Sequence, residues 1–311
     1  MSDLPALVEE YLAFRIARGF QPSQKLARSL LQFAAAVPAH ENDEVVFDQA
    51  DALRWANAPA GAKDSWRATR LSMVRQFAIF VSGSGLPVQI PSGKQGPAAR
   101  ARAVPFIYTP GEIDALLRSA TALFTVLRAA TMRTLIGLLA VTGMRIGEAL
   151  RIEIDDLDIE HGVLLIKHAK LERRRVNCLD PTACEALTAY LTLPQRHRLG
   201  VGGDRPLFTT GAGSTAGIGT ISAAFQAMRA HACLRPRAGA RPRLHDFRHT
   251  FATRTMIDAY ESGRDPAATL AALAIWLGHT SPAYTYWYLQ AVPELAAIAA
   301  RRLEPDDGRD S

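Results

Sequence analysis

Apolar residues recur at helical spacing in four successive segments near the start of the chain. The first segment predicts a helix over residues 3–19, with Asp3 as its cap and Pro5 in its first turn. The others predict helices over residues 23–36, 47–58 and 65–81. Because short amphipathic helices bury their apolar faces against one another, these segments predict a small helical bundle.

A stretch rich in glycine and proline, residues 82–104, separates this bundle from the rest of the chain, and its composition is typical of a linker. The residues after position 303 are polar and acidic, which predicts disorder. We therefore predict a helical domain over residues 1–90, a linker over 91–105, a second domain over 106–303 and a disordered tail over 304–311.

The second predicted domain opens on a helix start signal, the capping box Thr109-Pro110-Gly111-Glu112. A long buried helix is predicted through residues 123–141, Gly143 ends it, and a short helix follows over 146–151. Two β-like runs, 163–167 and 174–179, flank a charged turn and predict a hairpin. From residue 181 onward, helices alternate with loops. The expected fold class is mainly α in two domains, the second a mixed α/β but mostly helical domain with a small antiparallel sheet.

Composition narrows the class of protein. The 311 residues exceed what a single core commonly holds, which favours two domains. The net charge of +6 and the pI near 9.5 suit a polyanionic partner, although charge alone does not identify one.

Several other functional classes are disfavoured. The longest apolar stretch, residues 135–141, is too short to span a bilayer, and Glu9 and Glu10 interrupt the N-terminus before a signal peptide develops. We therefore expect a cytoplasmic protein with no membrane partner. The widely spaced cysteines predict buried thiols rather than a disulfide framework or a metal site. No metal and no cofactor is expected, since no acidic cluster suggests a magnesium site.

Two polar motifs of the second domain pair an arginine with a second polar residue. Arg145 and Glu148 follow the Thr-Gly break at the end of the long helix. His245 and Arg248 stand three residues apart, which puts both on one face of a helix that is otherwise apolar. Both motifs have plainer interpretations, an ordinary ion pair for the first and surface residues for the second. We expect Glu148 to brace Arg145.

A third motif holds a run of aromatic residues, Tyr284-Thr285-Tyr286-Trp287-Tyr288, after Leu277-Gly278-His279. A phenol with a pKa of roughly 10 is a poor nucleophile at neutral pH unless cations surround it. Arginine can bind the non-bridging oxygens of a phosphodiester through paired hydrogen bonds, and histidine can donate to them or manage the phenol proton. The three motifs together suit metal-free attack on a phosphodiester, while an aromatic packing cluster is the alternative for the tyrosines.

The motifs at residues 142–150, 244–253 and 277–288 resemble the three conserved boxes of the tyrosine recombinase (phage integrase) family, in the family's order. The resemblance covers the second domain in detail. For the first domain it is generic, because a helical bundle is similar to the family's SAM-like core-binding domain. The resemblance implies two domains that form a C-shaped clamp around DNA.

The resemblance also assigns roles to residues. It implies that Arg145, Arg248 and His279 stabilise the transition state and that His245 assists. In the family the nucleophilic tyrosine lies nine residues beyond the second histidine, which selects Tyr288 over its aromatic neighbours. The family's general acid is a lysine in a β-hairpin turn, about five residues before an arginine that opens the second strand. Lys170 fits that spacing to Arg175, whereas Lys167 lies at the end of the first strand.

Basic residues near these elements are candidates for phosphate contacts, which position a duplex without reading its sequence. They lie in the hairpin turn and in the linker: Arg173, Arg174, Lys94, Arg100 and Arg102.

The activity that the resemblance implies is site-specific DNA recombination through a 3′-phosphotyrosyl intermediate, without metal or ATP. Four protomers would hold two DNA sites, and the last helix, around residues 294–303, docks on a neighbouring protomer or covers its own core. The protein would be nucleoid-associated when bound to DNA. Residues 287–295 are similar to transposon-borne members. The alternatives are a type IB-like topoisomerase and a catalytically silent DNA-binding protein of the same fold.

Overall fold

The computed structural model of the chain describes residues 3–20, 22–38, 45–92, 104–167, 174–200, 204–237 and 239–278. The chain divides into two compact units, residues 1–102 and 103–311. Helices dominate both units, and a three-stranded antiparallel sheet lies in the second, which confirms the predicted fold class. The clamp around DNA stays a prediction.

The first unit packs its helices around one apolar core. The helices are α1 (Leu4–Ala17), α2 (Gln24–Ala36), α3 (Gln49–Asn57) and α4 (Asp64–Gly83). Phe33 lies at the centre of this core, edge-on to Phe47 and to Trp55, with ring centroids 5.0 Å and 5.4 Å away. The helical spacing of apolar residues therefore identified these elements to within a few residues at each end.

The prediction that Asp3 caps α1 is wrong. Asp3 stands at the N-cap position, but its side chain makes no capping hydrogen bond. A capping side chain accepts from the second or third helical N–H. Pro5 occupies the second helical position and has no N–H to donate.

The first helix of the second unit begins at the predicted capping box. The Thr109 Oγ1 accepts from the Glu112 N–H at 3.2 Å, and the Glu112 carboxylate accepts from the Thr109 N–H at 2.8 Å. The helices of this unit are α5 (Pro110–Leu123), α6 (Val126–Thr142), α7 (Ile146–Ala149), α8 (Pro181–Thr192), α9 (Pro194–His197), α10 (Ile218–His231), α11 (Asp246–Glu261) and α12 (Pro266–Leu277).

The long helix predicted over residues 123–141 begins later than expected. Leu123 is the last residue of α5, Phe124 has an extended backbone with φ −127°, and α6 starts at Val126. The Arg128 guanidinium lies 4.4 Å from the centroid of the Phe124 ring and covers it at this break. Gly143 ends α6 as predicted, in the left-handed conformation with φ +62°.

The sheet consists of β1 (Leu157–Asp158), β2 (Val163–Ile166) and β3 (Arg175–Cys178), hydrogen-bonded in that order. The β2–β3 hairpin was predicted, and its register pairs Ile166 with Arg175. Strand β1 was not predicted, because two residues carry no alternating pattern.

The cysteines are less buried than the sequence predicts. Cys178 and Cys233 are exposed, and Cys184 is half-buried. Side chains alternate between the two faces of a strand, so the buried Asn177 leaves its neighbour Cys178 on the outer face of β3.

The segment before α5 is fastened to α11. The Tyr108 N–H donates to the Thr250 Oγ1 at 2.9 Å, and the Arg254 guanidinium donates to the Tyr108 carbonyl at 2.9 Å. The Tyr108 ring also stacks on Phe247, with centroids 4.4 Å apart. These contacts fix the start of the second unit against the helix that carries the His245–Arg248 motif.

Candidate active site

Arg248 is a buried cation that joins two distant chain segments. It lies in the first turn of α11 with only 2% of its surface exposed. Its Nη1 donates to the carbonyl of Gly143 at 3.1 Å, and its Nη2 donates to the carbonyl of Leu277 at 2.7 Å. One guanidinium therefore ties the end of α6 to the end of α12 and brings parts of all three sequence motifs together.

The α6 terminus has little room around Gly143. A side chain there would be strained, and its Cβ would stand 2.6 Å from the Cδ1 of Phe251 and 3.0 Å from Leu277. Beside it, the indole Nε1 of Trp276 donates to the Thr142 carbonyl at 2.8 Å. Glycine is required because the backbone is left-handed and packed directly against α11 and α12.

Glu148 accepts hydrogen bonds from two arginines. Its Oε1 accepts from the Nη1 of Arg145 at 2.8 Å and from the Nη1 of Arg175 at 3.3 Å. Its Oε2 accepts from the backbone N–H of Arg145 at 3.0 Å and from the Nη2 of Arg175 at 2.6 Å. An ionised carboxylate offers about four acceptor positions. The four bonds fill them, so this carboxylate orients its neighbours rather than exchanging protons.

The charge of Glu148 is stabilised in spite of its burial. Burial favours the neutral acid, but the hydrogen bonds and charge of Arg175, and then the bonds from Arg145, hold the pKa of Glu148 below its ordinary value. Arg145 itself keeps 34% of its side chain exposed. It is thus braced on one side and accessible on the other.

His245 stands at the N-cap position of α11, and its side chain is accessible to solvent. Partial desolvation by the surrounding protein, followed by the positive charges of Arg248 and Arg145, lowers the pKa of His245 below its ordinary value. The buried carboxylate of Asp246 binds Arg243 through two side-chain bonds, at 2.7 and 3.1 Å, and fixes this end of the helix. The lowered pKa of His245 favours the neutral imidazole at neutral pH.

The sequence matches the Phage integrase family over residues 108–294, well over half of the chain. This chain belongs to the phage integrase family. The integrase/recombinase y4rB of Sinorhizobium fredii (strain NBRC 101917 / NGR234) is 36% identical over 310 residues, which cover 98% of both chains. Members of this tyrosine recombinase family break and rejoin DNA in site-specific recombination, and the chain is an enzyme of that class.

Solved structures of tyrosine recombinases share the fold of this integrase-family chain. The XerH site-specific recombinase in its post-cleavage complex with difH substrate has a TM-score of 0.64 at 21% identity, covering 88% of this chain and 78% of that one. A lambda integrase tetramer bound to a Holliday junction has a TM-score of 0.62 at 16% identity, covering 91% and 76%. At these identities the likeness concerns the fold.

Of the two candidate lysines of this integrase-family chain, the structure describes only Lys167. Lys167 follows β2, and its Nζ lies 2.6 Å from the Oδ1 of Asp156 and 3.4 Å from the Oε2 of Glu153. The ion pair with the Asp156 carboxylate is the main cause that raises the pKa of Lys167. Lys170 lies outside the described residues. Two carboxylates thus hold Lys167 in place and in its charged form.

Arg175 is a member of the site that the sequence did not single out. Its position in the sequence predicts only that Arg175 opens the second strand of the hairpin. In the structure the side chain is 9% exposed and binds Glu148 with two nitrogens. Arg174, a predicted phosphate contact, is exposed beside it. The alternation of a strand is the signal that could have separated the two, since it turns neighbours to opposite faces.

The remaining predicted site residues lie outside the described residues: His279, Tyr288, Lys170, Arg173, Lys94, Arg100 and Arg102. Within the described ranges, no group of three His, Cys, Asp or Glu side chains is placed to hold a metal ion. A search of the same ranges finds no helix both long and apolar enough to cross a membrane.

Proposed function

We propose that the chain cuts duplex DNA with Tyr288, leaving a 3′-phosphotyrosyl bond and a 5′-hydroxyl. The observation that carries the proposal is the pair of bonds from Arg248 to the carbonyls of Gly143 and Leu277. Gly143 lies two residues before Arg145, and Leu277 lies two residues before His279. These bonds support the proposal because they join the two chain segments that lead, by sequence, to Arg145 and to His279.

In this proposal, Arg145 and Arg248 neutralise the charge that grows on the non-bridging oxygens of the scissile phosphate. Preorganised donors stabilise such a charge without reorganising during the reaction. Arg145 is held by Glu148 and remains partly accessible, which suits a group that contacts a ligand. His279 adds a hydrogen bond to the same oxygens, and the neutral His245 assists by accepting the phenol proton.

We propose Lys170 rather than Lys167 as the acid that protonates the leaving 5′-oxygen. The support is indirect and comes from Lys167, whose ammonium binds Asp156 and Glu153. Those two carboxylates hold the Lys167 proton and make it a poor donor. Lys170 also has the spacing to Arg175 that the family resemblance requires.

The partner we propose is double-stranded DNA, held by four protomers on two sites with strands exchanged in two rounds. The lambda integrase tetramer on a Holliday junction supports this assembly by its similar fold. Rejoining needs no ATP, because the phosphotyrosyl bond conserves the energy of the phosphodiester.

The nucleophile is tested with nicked suicide duplexes that carry sequences flanking the gene. We expect wild type to give an SDS-resistant protein–DNA adduct, and Tyr288→Phe to give none because the attacking oxygen is gone. Tyr284→Phe and Tyr286→Phe are matched controls that keep the adduct. An undiminished adduct with Tyr288→Phe contradicts the assignment. Relaxation of plasmids that lack any specific site favours a type IB-like topoisomerase instead.

The protonation of His245 gives a pH prediction. Its pKa in the folded protein is lowered, so the imidazole binds its proton more weakly than in the unfolded chain. Folding stability therefore falls as pH drops below about 6.5, the unfolded value, and this loss ends below the folded pKa. We expect NMR titration of histidine-labelled protein, with His245→Gln for assignment, to give a midpoint below about 6.5. A midpoint at or above that value contradicts the environment described for this ring.

A further inference from the structure

Arg175 connects three elements of the site. It opens β3, directly after the segment that contains Lys170, and its guanidinium reaches Glu148 in α7. The same guanidinium fills the space beside Gly278, where an added Cβ would stand 3.0 Å from its Nη1. Gly278 has φ +65° and ends α12. Arg175 therefore occupies the junction of the hairpin, α7 and α12.

The bonds at Glu148 make Arg145 dependent on Arg175. Each carboxylate oxygen accepts one bond from Arg145 and one from Arg175. Glu148 is 4% exposed, so water is not at hand to replace a missing donor. Without Arg175, the carboxylate would be held by Arg145 alone and could turn to satisfy itself at the expense of the Arg145 orientation.

We propose that Arg175 is a positioning residue, which fixes the Glu148 carboxylate so that Arg145 presents its guanidinium to the scissile phosphate. This inference rests on the proposed function, in which Arg145 neutralises charge on the non-bridging oxygens. The proposal therefore predicts that Arg175 increases the cleavage rate only when those non-bridging oxygens are charged.

The test compares single-turnover cleavage of a scissile phosphodiester with that of a methylphosphonate, in which a methyl group replaces one charged oxygen. We expect Arg175→Met to slow phosphodiester cleavage about 10²-fold, the scale of a small misplacement of a catalytic group. On the methylphosphonate the loss shrinks toward none, and Arg145→Ala shows the same pattern. Arg145→Ala combined with Arg175→Met is no slower than Arg145→Ala alone. Arg151→Met removes an exposed arginine next to α7 and leaves both rates unchanged.

Arg175→Lys is a second variant for the case that Arg175→Met does not fold. Lysine keeps the positive charge but cannot form the two-nitrogen contact with Glu148. We expect an intermediate loss, again relieved on the methylphosphonate. Equal losses on both substrates overturn the proposal, as do multiplying losses in the double variant. Relief by a 5′-bridging sulfur, which leaves without a proton, would place the effect on the leaving group and also overturn it. If the wild-type protein forms no adduct on the phosphodiester, the proposed function itself is wrong. If the wild-type protein cleaves the phosphodiester, the results with the Arg175 variants decide only the positioning role, and the proposed function is unaffected.

Discussion

Replacing Arg248 with lysine is expected to slow DNA cleavage by at least roughly 10³-fold although the positive charge is kept. Losing one preorganised donor to a developing oxyanion typically slows a reaction 10²–10³-fold, and here the geometry of the site is lost as well. The two carbonyls that Arg248 binds belong to Gly143 and Leu277, on separate elements. A single ammonium cannot reproduce two donors that diverge from one planar group.

The same substitution is expected to lower the free energy of unfolding by about 2–4 kcal/mol, because buried acceptors lose their donors. Chemical denaturation measures the stability, and single-turnover assays on the suicide duplex measure the rate. Arg264→Lys is the control, since Arg264 is exposed beyond the end of α11. Cleavage by Arg248→Lys at the wild-type rate would show that the guanidinium geometry is not needed.

Replacing Gly143 with alanine is expected to be the most destabilising of the small substitutions, at about 2–5 kcal/mol. The left-handed backbone costs a non-glycine residue roughly 1–2 kcal/mol. Overpacking against Phe251 and Leu277 adds a further 1–3 kcal/mol. Because the Gly143 carbonyl also accepts from Arg248, we expect cleavage to fall even where the variant is folded.

Gly137→Ala gives a matched control of opposite sign within the same helix. Gly137 lies in the interior of α6, and an added Cβ there meets no atom within 4 Å. Alanine favours a helix interior by about 1 kcal/mol over glycine. We expect Gly137→Ala to melt at or above the wild-type temperature and Gly143→Ala well below it. Similar melting temperatures for the two variants contradict the packing described at the α6 terminus.

Local chemistry made most of the fold predictable. The capping box at Thr109 and the helix end at Gly143 depend on residues within a few positions, and both were confirmed. The two errors, the cap of α1 and the start of the long helix, arose where a neighbouring residue prevented the expected local structure. Pro5 removed one of the two N–H groups that Asp3 could cap, and the break at Phe124 involves contacts that periodicity does not report.

The site was predictable as a set of motifs and not as a set of contacts. The spacing of Arg145 and Glu148 by three residues indicated their ion pair, which the structure contains. The bonds of Arg248 reach residues 105 and 29 positions away, and the bond from Arg175 to Glu148 spans 27. Tertiary packing decides such pairs, so sequence spacing gave no signal for Arg175 as a partner of Glu148.

The central claim, covalent attack by Tyr288 with release of a 5′-hydroxyl, is tested most directly by locating the bond in the trapped adduct. The adduct formed on an end-labelled nicked duplex is digested with protease, and the DNA-linked peptide is sequenced by mass spectrometry. We predict that the modified residue is Tyr288 and that it is joined to the 3′ phosphate of the broken strand. A bond to Tyr284 or Tyr286, or to the 5′ end of the DNA, would contradict the account.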